Sequence, residues 1–214
     1  MLSKRLEKVA HLVRKKAKVF DVGCDHGYLS IYLAKNNKNK VIASDITTFS
    51  VNKTIENINK NNLTDKIKVI KSNGLENLTI NKEDIIIISG MGTNTMLNIF
   101  YENKHKLSNT LILQSNNNHS LLRYRLTKLG YYKDTEEMVI DQNKVYIIIK
   151  FEKGKKNYSY IDYILGPVLK YNKEYLNIEL EKNIKIYNHI PNKYILKRIK
   201  LKYIIKKIKK FLDS

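Results

Sequence analysis

Tryptophan is absent from this 214-residue chain, proline occurs twice and glycine eight times. Collagen-like, proline-rich and low-hydrophobicity disordered chains are thereby excluded, because the 43% of apolar residues is enough for a core. One cysteine, Cys24, rules out an intramolecular disulfide framework and any multi-cysteine zinc site, so no metal is expected. No apolar run approaches the roughly 20 residues needed to cross a bilayer. The opening Met1-Leu2-Ser3-Lys4-Arg5 leads into charged, interrupted sequence rather than the apolar core of a signal peptide. The expectation is a cytoplasmic protein with no membrane partner. Acidic residues are scarce too, 20 against 40 Lys and Arg, for a formal net charge of +20. A field of that sign favours polyanions, with nucleic acid ahead of membrane, although A/T-rich coding also enriches lysine.

What is present is a strand–helix alternation. Strand-like apolar runs occupy 17–22, 40–44, 67–70, 84–89 and 110–114, with helical patterns at 28–36, 49–61, 95–101 and 121–129 and a short irregular stretch near 75–78. This order predicts an α/β fold, a parallel sheet with helices on both faces. The pattern then changes to two strands, 136–140 and 145–151, around a turn at Asp141-Gln142-Asn143. Glu152-Lys153-Gly154-Lys155-Lys156 reads as a linker, dividing the chain into domains 1–154 and 155–214. In the second, Leu176, Leu180, Ile184 and Tyr187, and then Leu201, Ile204, Ile208 and Leu212, follow helical spacing. Pro191 separates the two helices. A helical hairpin or short coiled coil is expected, whose seam can be internal to a monomer or shared. Residues 151–214 hold 16 basic and 6 acidic residues, against 24 and 14 in 1–150, so the smaller part is the more charged per residue. Lys197 and Arg198 head its basic run, which is equally a solvated face or an RNA contact.

The most informative segment is Val19-Phe20-Asp21-Val22-Gly23-Cys24-Asp25-His26-Gly27-Tyr28-Leu29, a strand, a glycine turn and a helix start. Ligands bind at that edge of a parallel sheet. Gly23 and Gly27 let a ligand approach the backbone. A dinucleotide site asks for G-x-G-x-x-G so that the backbone reaches a pyrophosphate, which Asp21 and Asp25 would repel. S-adenosylmethionine, with an ammonium and a sulfonium, suits these carboxylates instead. Asp45 ends the second strand, where an acidic side chain accepts from both ribose hydroxyls, and a helix cap is the plainer alternative. Asn73 and Gly74 end the third strand, within reach of an adenine edge and face, or as a plain turn.

At the fourth strand stands Ile88-Ser89-Gly90-Met91-Gly92-Thr93. With Asp25-His26-Gly27-Tyr28-Leu29 and Leu111-Ile112-Leu113-Gln114-Ser115-Asn116, it resembles the bacterial tRNA adenine-N1 methyltransferase family acting on adenine 22. The likeness runs from Arg5-Leu6-Glu7-Lys8-Val9-Ala10 through the hairpin and more faintly into Leu165-Gly166-Pro167. The family more often has proline where Ser115 stands and frequently Glu where Asp45 stands. The resemblance implies a Rossmann-like class I methyltransferase sheet, parallel with a terminal antiparallel hairpin, plus a small C-terminal helical coiled coil. It also implies S-adenosylmethionine as cofactor and tRNA as partner.

On this reading Asp25 stabilises charge on the adenine ring, His26 orients or accepts a proton, and Met91 packs on the target base. Asp21, Gly23, Gly27, Asp45, Asn73, Gly74, Ser89 and Gly90 hold the cofactor. Gly92, Gln114 and Asn116 meet the base, and Arg5, Lys8, Arg14, Lys197 and Arg198 meet RNA phosphates. A methyltransferase on another RNA and a basic RNA-binding protein without turnover are the alternatives.

Overall fold

The computed structural model describes residues 2–214. The chain divides into two compact units, Met1–Lys155 and Lys156–Ser214.

In the first unit seven strands form one sheet: β1 (Lys18–Val22), β2 (Lys40–Asp45), β3 (Ile67–Lys71), β4 (Ile85–Met91), β5 (Thr110–Ser115), β6 (Tyr131–Asp141) and β7 (Lys144–Lys153). Their order is β3-β2-β1-β4-β5-β7-β6. The first five are mutually parallel, while β7 runs antiparallel to both β5 and β6. Central strands read as unbroken apolar runs because both faces are covered. Ile85, Ile86, Ile87 and Ile88 are all buried, and successive residues face opposite layers. Val19, Val41, Ile85, Ile87 and Ile112 pack with α1 (Lys4–His11), α2 (Tyr28–Asn36) and α3 (Thr48–Lys60) in one core. On the other face, α4 (Thr93–Glu102) packs on β4 and on α5 (His119–Lys128), which packs on β6. Their buried side chains include Met96, Leu97, Phe100, Leu122 and Leu126. Because the chain leaves β1 toward β2 on one side and returns through β4 on the other, a crevice opens beyond the carboxyl ends of β1 and β4.

Several elements differ from the sequence expectation. Helix α1 is not among the expected elements, although Leu2, Leu6, Val9, Ala10 and Val13 fall at helical spacing; Ser3 caps it by accepting from Leu6 N at 3.3 Å, and Val9 and Ala10 bury completely. Strand β6 begins five residues before the expected 136, because a bulge between Lys133 and Thr135 breaks the alternation. The hairpin turn is Gln142-Asn143, both left-handed at φ 49° and 60°, which matches the strands' twist. Glu152 and Lys153 of the expected linker belong to β7.

The second unit holds α6 (Tyr160–Leu165), α7 (Lys173–His189) and α8 (Ile195–Leu212). Ser159 and Asp162 form a capping box on α6. Helices α7 and α8 pack on each other. Leu176, Leu201, Ile204 and Ile208 are buried as the spacing predicts, but Asn183 takes the buried place beside Ile184, which is 36% exposed. The Asn183 amide is satisfied by donating to Glu179 O at 2.7 Å.

Candidate active site

The turn after β1 is fastened to the end of β2: Gly23 N and Cys24 N both donate to Ser44 O, at 2.8 and 3.0 Å. Gly23 and Gly27 have φ of 79° and 72°, and a Cβ on Gly23 would fall on Met91 Cε. The left-handed backbone is what requires glycine here, since the tip of the Met91 side chain could shift but the positive φ could not. Asp25 between them is left-handed as well, at φ 51°. Its strained backbone is held from both sides: its N–H donates to Asp45 Oδ2 at 3.2 Å, and its carbonyl accepts from Thr54 Oγ1 at 2.8 Å. The Asp25 side chain stays 71% exposed at the lip of the crevice, with His26 Nε2 3.7 Å away. His26 stacks on Tyr28 with ring centroids 5.5 Å apart.

Two hollows occupy the crevice, of about 320 and 350 Å³, and they share Gly23, Asp45 and Met91. The first runs over Ser72, Asn73 and Gly74 toward Ile99 and Glu102. The second is lined by Arg5, Asp21, Asp25, His26, Ser89 and Gly90. Between them the site brings together all the expected cofactor-pocket residues except Gly27, which shapes the turn from behind against Thr54. Gly90 sits at a bulge between Ser89 and Met91 with φ 90°, and the bulge turns Met91 into the shared part of the two hollows. Gly92 begins α4, and Asn116 lies across from Gly90, donating to its carbonyl at 2.6 Å.

Two carboxylates have different surroundings. Asp21 is buried beneath the turn, and Ser30 Oγ donates to its Oδ2 at 2.6 Å. Burial pushes its pKa up to about 6, against the lowering effect of Ser30. A cationic ligand group beside it would remove that cost. Asp45 is half-buried and accepts from Thr47 N at 3.0 Å and Asp25 N at 3.2 Å, so its carboxylate is oriented toward the hollows with acceptor capacity remaining. Burial pushes the Cys24 thiol up to about 12, which makes it an inert core side chain rather than a nucleophile.

Four side chains lie elsewhere than expected. Arg5 does not face outward: its Nη1 donates to Ser89 Oγ at 2.5 Å and Gln114 Oε1 at 2.6 Å, and it stands over the Tyr146 ring on the floor of the second hollow. Gln114 is fully buried with its amide engaged by Arg5, Ser89 and Asn116, so it supports Arg5 from beneath instead of meeting a base. Lys8 is paired with Glu137 at 3.0 Å. Arg198 donates to the carbonyls of Tyr187 and Ile190 at 3.2 and 2.7 Å and stacks on Tyr187, which caps the carboxyl end of α7. Arg14 and Lys197 are exposed as expected. Sequence reading missed Thr54, which holds the turn, and Tyr28, which is 57% exposed beside the lip. An i,i+4 aromatic pair with Tyr32 was the signal for the latter. Among the described residues, no group of three or more His, Cys, Asp or Glu is placed to hold a metal ion, and no helix is long and apolar enough to cross a membrane.

A methyltransferase-domain family profile matches residues 2–149. The tRNA (adenine(22)-N(1))-methyltransferase of Bacillus subtilis is 33% identical over 162 residues, covering 74% of this chain and 68% of that protein. TrmK from M. capricolum, solved in complex with S-adenosyl-homocysteine, superposes with a TM-score of 0.84 at 32% identity, covering 100% of this chain and 98% of that one. A Streptococcus pneumoniae protein solved with S-adenosyl-L-methionine gives 0.85 at 31% identity, covering 99% and 100%. With the sheet order, the double hollow and these likenesses together, the chain belongs to the tRNA (adenine(22)-N(1))-methyltransferase family.

Proposed function

We propose that this protein transfers the methyl group of S-adenosylmethionine to N1 of adenine 22 in tRNA. The observation that carries the reading is the pair of hollows joined at Gly23, Asp45 and Met91, with buried Asp21 beneath one and Asn73-Gly74 beside the other. Together they suit a nucleoside with a cationic tail. Asp45 would accept from the ribose hydroxyls, Asn73 and Gly74 would meet the adenine, and Asp21 would pair with the ammonium. Arg5 is the group for the carboxylate, because both partners of its Nη1 are neutral oxygens. The bound cofactor supplies an electrophilic methyl on a sulfonium, which leaves as a neutral thioether.

Adenine N1 has an in-plane lone pair and needs no prior deprotonation. The protein's task is alignment and stabilisation of the charge that accumulates on the ring. Asp25, exposed at the lip and fixed by its backbone bonds, presents a carboxylate for that charge and for the 6-amino group. His26, with Nε2 3.7 Å from that carboxylate, is the group to orient it or to accept a proton. Met91, half-buried at the junction of the hollows, offers a polarizable face to the base. The Watson–Crick edge is accessible only once the base is extruded or locally unpaired, at a cost of a few kcal/mol that contacts to the RNA backbone offset. We place the enzyme in the cytoplasm.

The test is methyl transfer from labelled cofactor to an unmodified tRNA transcript, followed by nucleoside mapping. One N1-methyladenosine at position 22, lost when that adenine is replaced by guanine, is expected. Label at another position, or on rRNA in preference to tRNA, overturns the assignment.

A further inference from the structure

Beside the crevice, on the same unit, lies a groove of about 710 Å³ lined by residues of α2 and α3 together with Leu2, Ser3 and Leu6. It adjoins the second hollow across Leu6 and Tyr28, which line both. Its walls are ordered. Tyr28 and Tyr32 stand four residues apart on one face of α2, and Asn57 and Asn61 four apart on α3, so aromatic rings and amides form successive rungs. The amides are fixed: Asn57 Nδ2 donates to His26 O at 2.9 Å, Asn61 Nδ2 to Asn57 O at 2.7 Å, and Lys35 Nζ to Asn61 Oδ1 at 2.7 Å. None of the lining side chains is acidic.

We propose that this groove receives the base of the nucleotide adjacent to the target adenine. The inference rests on the tRNA reading above and deepens it. Extruding one base from a stack leaves its neighbour with an uncovered face, and a protein that extrudes bases gains by covering that face with an aromatic ring. Tyr28, on the boundary between crevice and groove, stacks on His26 and is 57% exposed. Tyr32 is the next rung. The fixed amides and the Tyr hydroxyls give hydrogen-bonding partners without demanding one base, and Lys35 brings positive charge alongside the strand.

Steady-state kinetics on the tRNA transcript test it. Tyr32→Ala is expected to raise KM for tRNA about tenfold, in the range set by one base–aromatic stack, with kcat and cofactor affinity unchanged. Tyr32→Phe restores wild-type KM. A transcript with an abasic site on one flank of adenine 22 shows the same loss with the wild-type enzyme and no further loss with Tyr32→Ala. Lys35→Glu, a change at an exposed position, raises KM several-fold and serves if Tyr32→Ala melts early. Unchanged KM in both variants, or losses from Tyr32→Ala and the abasic site that multiply, overturns the groove proposal. So does a groove occupied by a second copy of the chain, seen as concentration-dependent mass that Tyr32→Ala abolishes. If wild-type enzyme leaves tRNA unmethylated, the parent reading fails and the groove proposal falls with it. If wild type methylates normally while Tyr32→Ala and Lys35→Glu are both silent, the groove proposal fails alone.

Discussion

Asp21 and Asp25 stand four residues apart and face opposite conditions. Burial raises the Asp21 pKa from 3.8 to about 6, so in the ligand-free protein the native state holds a proton that the unfolded chain has already lost. Stability therefore falls as pH rises from about 4 to about 6, by on the order of 3 kcal/mol if nothing relaxes. A bound ammonium favours the ionised form, so cofactor affinity should weaken as pH drops below about 6, with proton release on binding. Calorimetry in two buffers of different ionisation enthalpy checks this, and Asp21→Asn should flatten both the stability and the affinity profiles. Asp25, by contrast, holds the turn through backbone bonds that its side chain does not make. Asp25→Ala should leave cofactor binding near wild type and lower kcat by about 100-fold, the usual scale for losing one preorganised electrostatic group. Equal loss of cofactor affinity would move Asp25 into the cofactor pocket. The carboxylates were legible in the sequence because the ends of β1 and β2 must meet at the crevice whatever the details. Arg5, Gln114 and Arg198 were not. A sequence gives the charge or amide of such residues but not the direction in which a helix or strand points them, and each is turned inward by a partner distant in sequence or by a helix end.

At the level of elements, the parallel strands were readable because burial on both faces demands unbroken β-branched runs such as Ile85–Ile88. Elements stabilised by capping and tertiary contact were not. Helix α1 has only two buried side chains and is anchored by Arg5 N–H to Asp141 Oδ2 at 3.1 Å and by Lys8 to Glu137, all contacts with β6. The start of β6 was hidden by its bulge. That strand is joined to α5 by a pair the sequence gives no hint of: Arg123 Nε donates to Glu136 Oε1 at 2.6 Å, and both side chains are completely buried. Removing one member of a buried ion pair breaks a contact made out of water, which costs about 3–5 kcal/mol. Arg123→Met should lower stability in urea melts by that amount, whereas Arg123→Met with Glu136→Leu should recover most of it. A single variant within about 1 kcal/mol of wild type would show that water reaches the pair.

The whole molecule carries +20, but that charge is not uniformly available to RNA. Lys8 is paired with Glu137, Arg5 faces the second hollow of the crevice, and Arg198 is bound to the end of α7. The exposed remainder includes Arg14, Lys15 and Lys16 in the first unit and Lys202, Lys206, Lys209 and Lys210 on α8. Each phosphate neutralised by such a group releases condensed counterions, so affinity for tRNA should fall with salt on a steep log–log slope. About six neutralised phosphates would mean a loss of roughly 10³-fold between 50 and 200 mM. The distribution of free and paired charge makes the prediction sharper than net charge does. Replacing Lys206, Lys209 and Lys210 together by Gln should flatten the slope by up to about 0.9 for each phosphate that is no longer neutralised, with cofactor affinity untouched. Lys8→Gln should leave the slope where it was, because its ammonium already has a carboxylate partner. Filter binding across a salt series separates the two variants. If Lys8→Gln flattened the slope and the triple α8 variant did not, RNA would be held by the rim of the methyltransferase sheet, and the basic helix would be a solvated packing face.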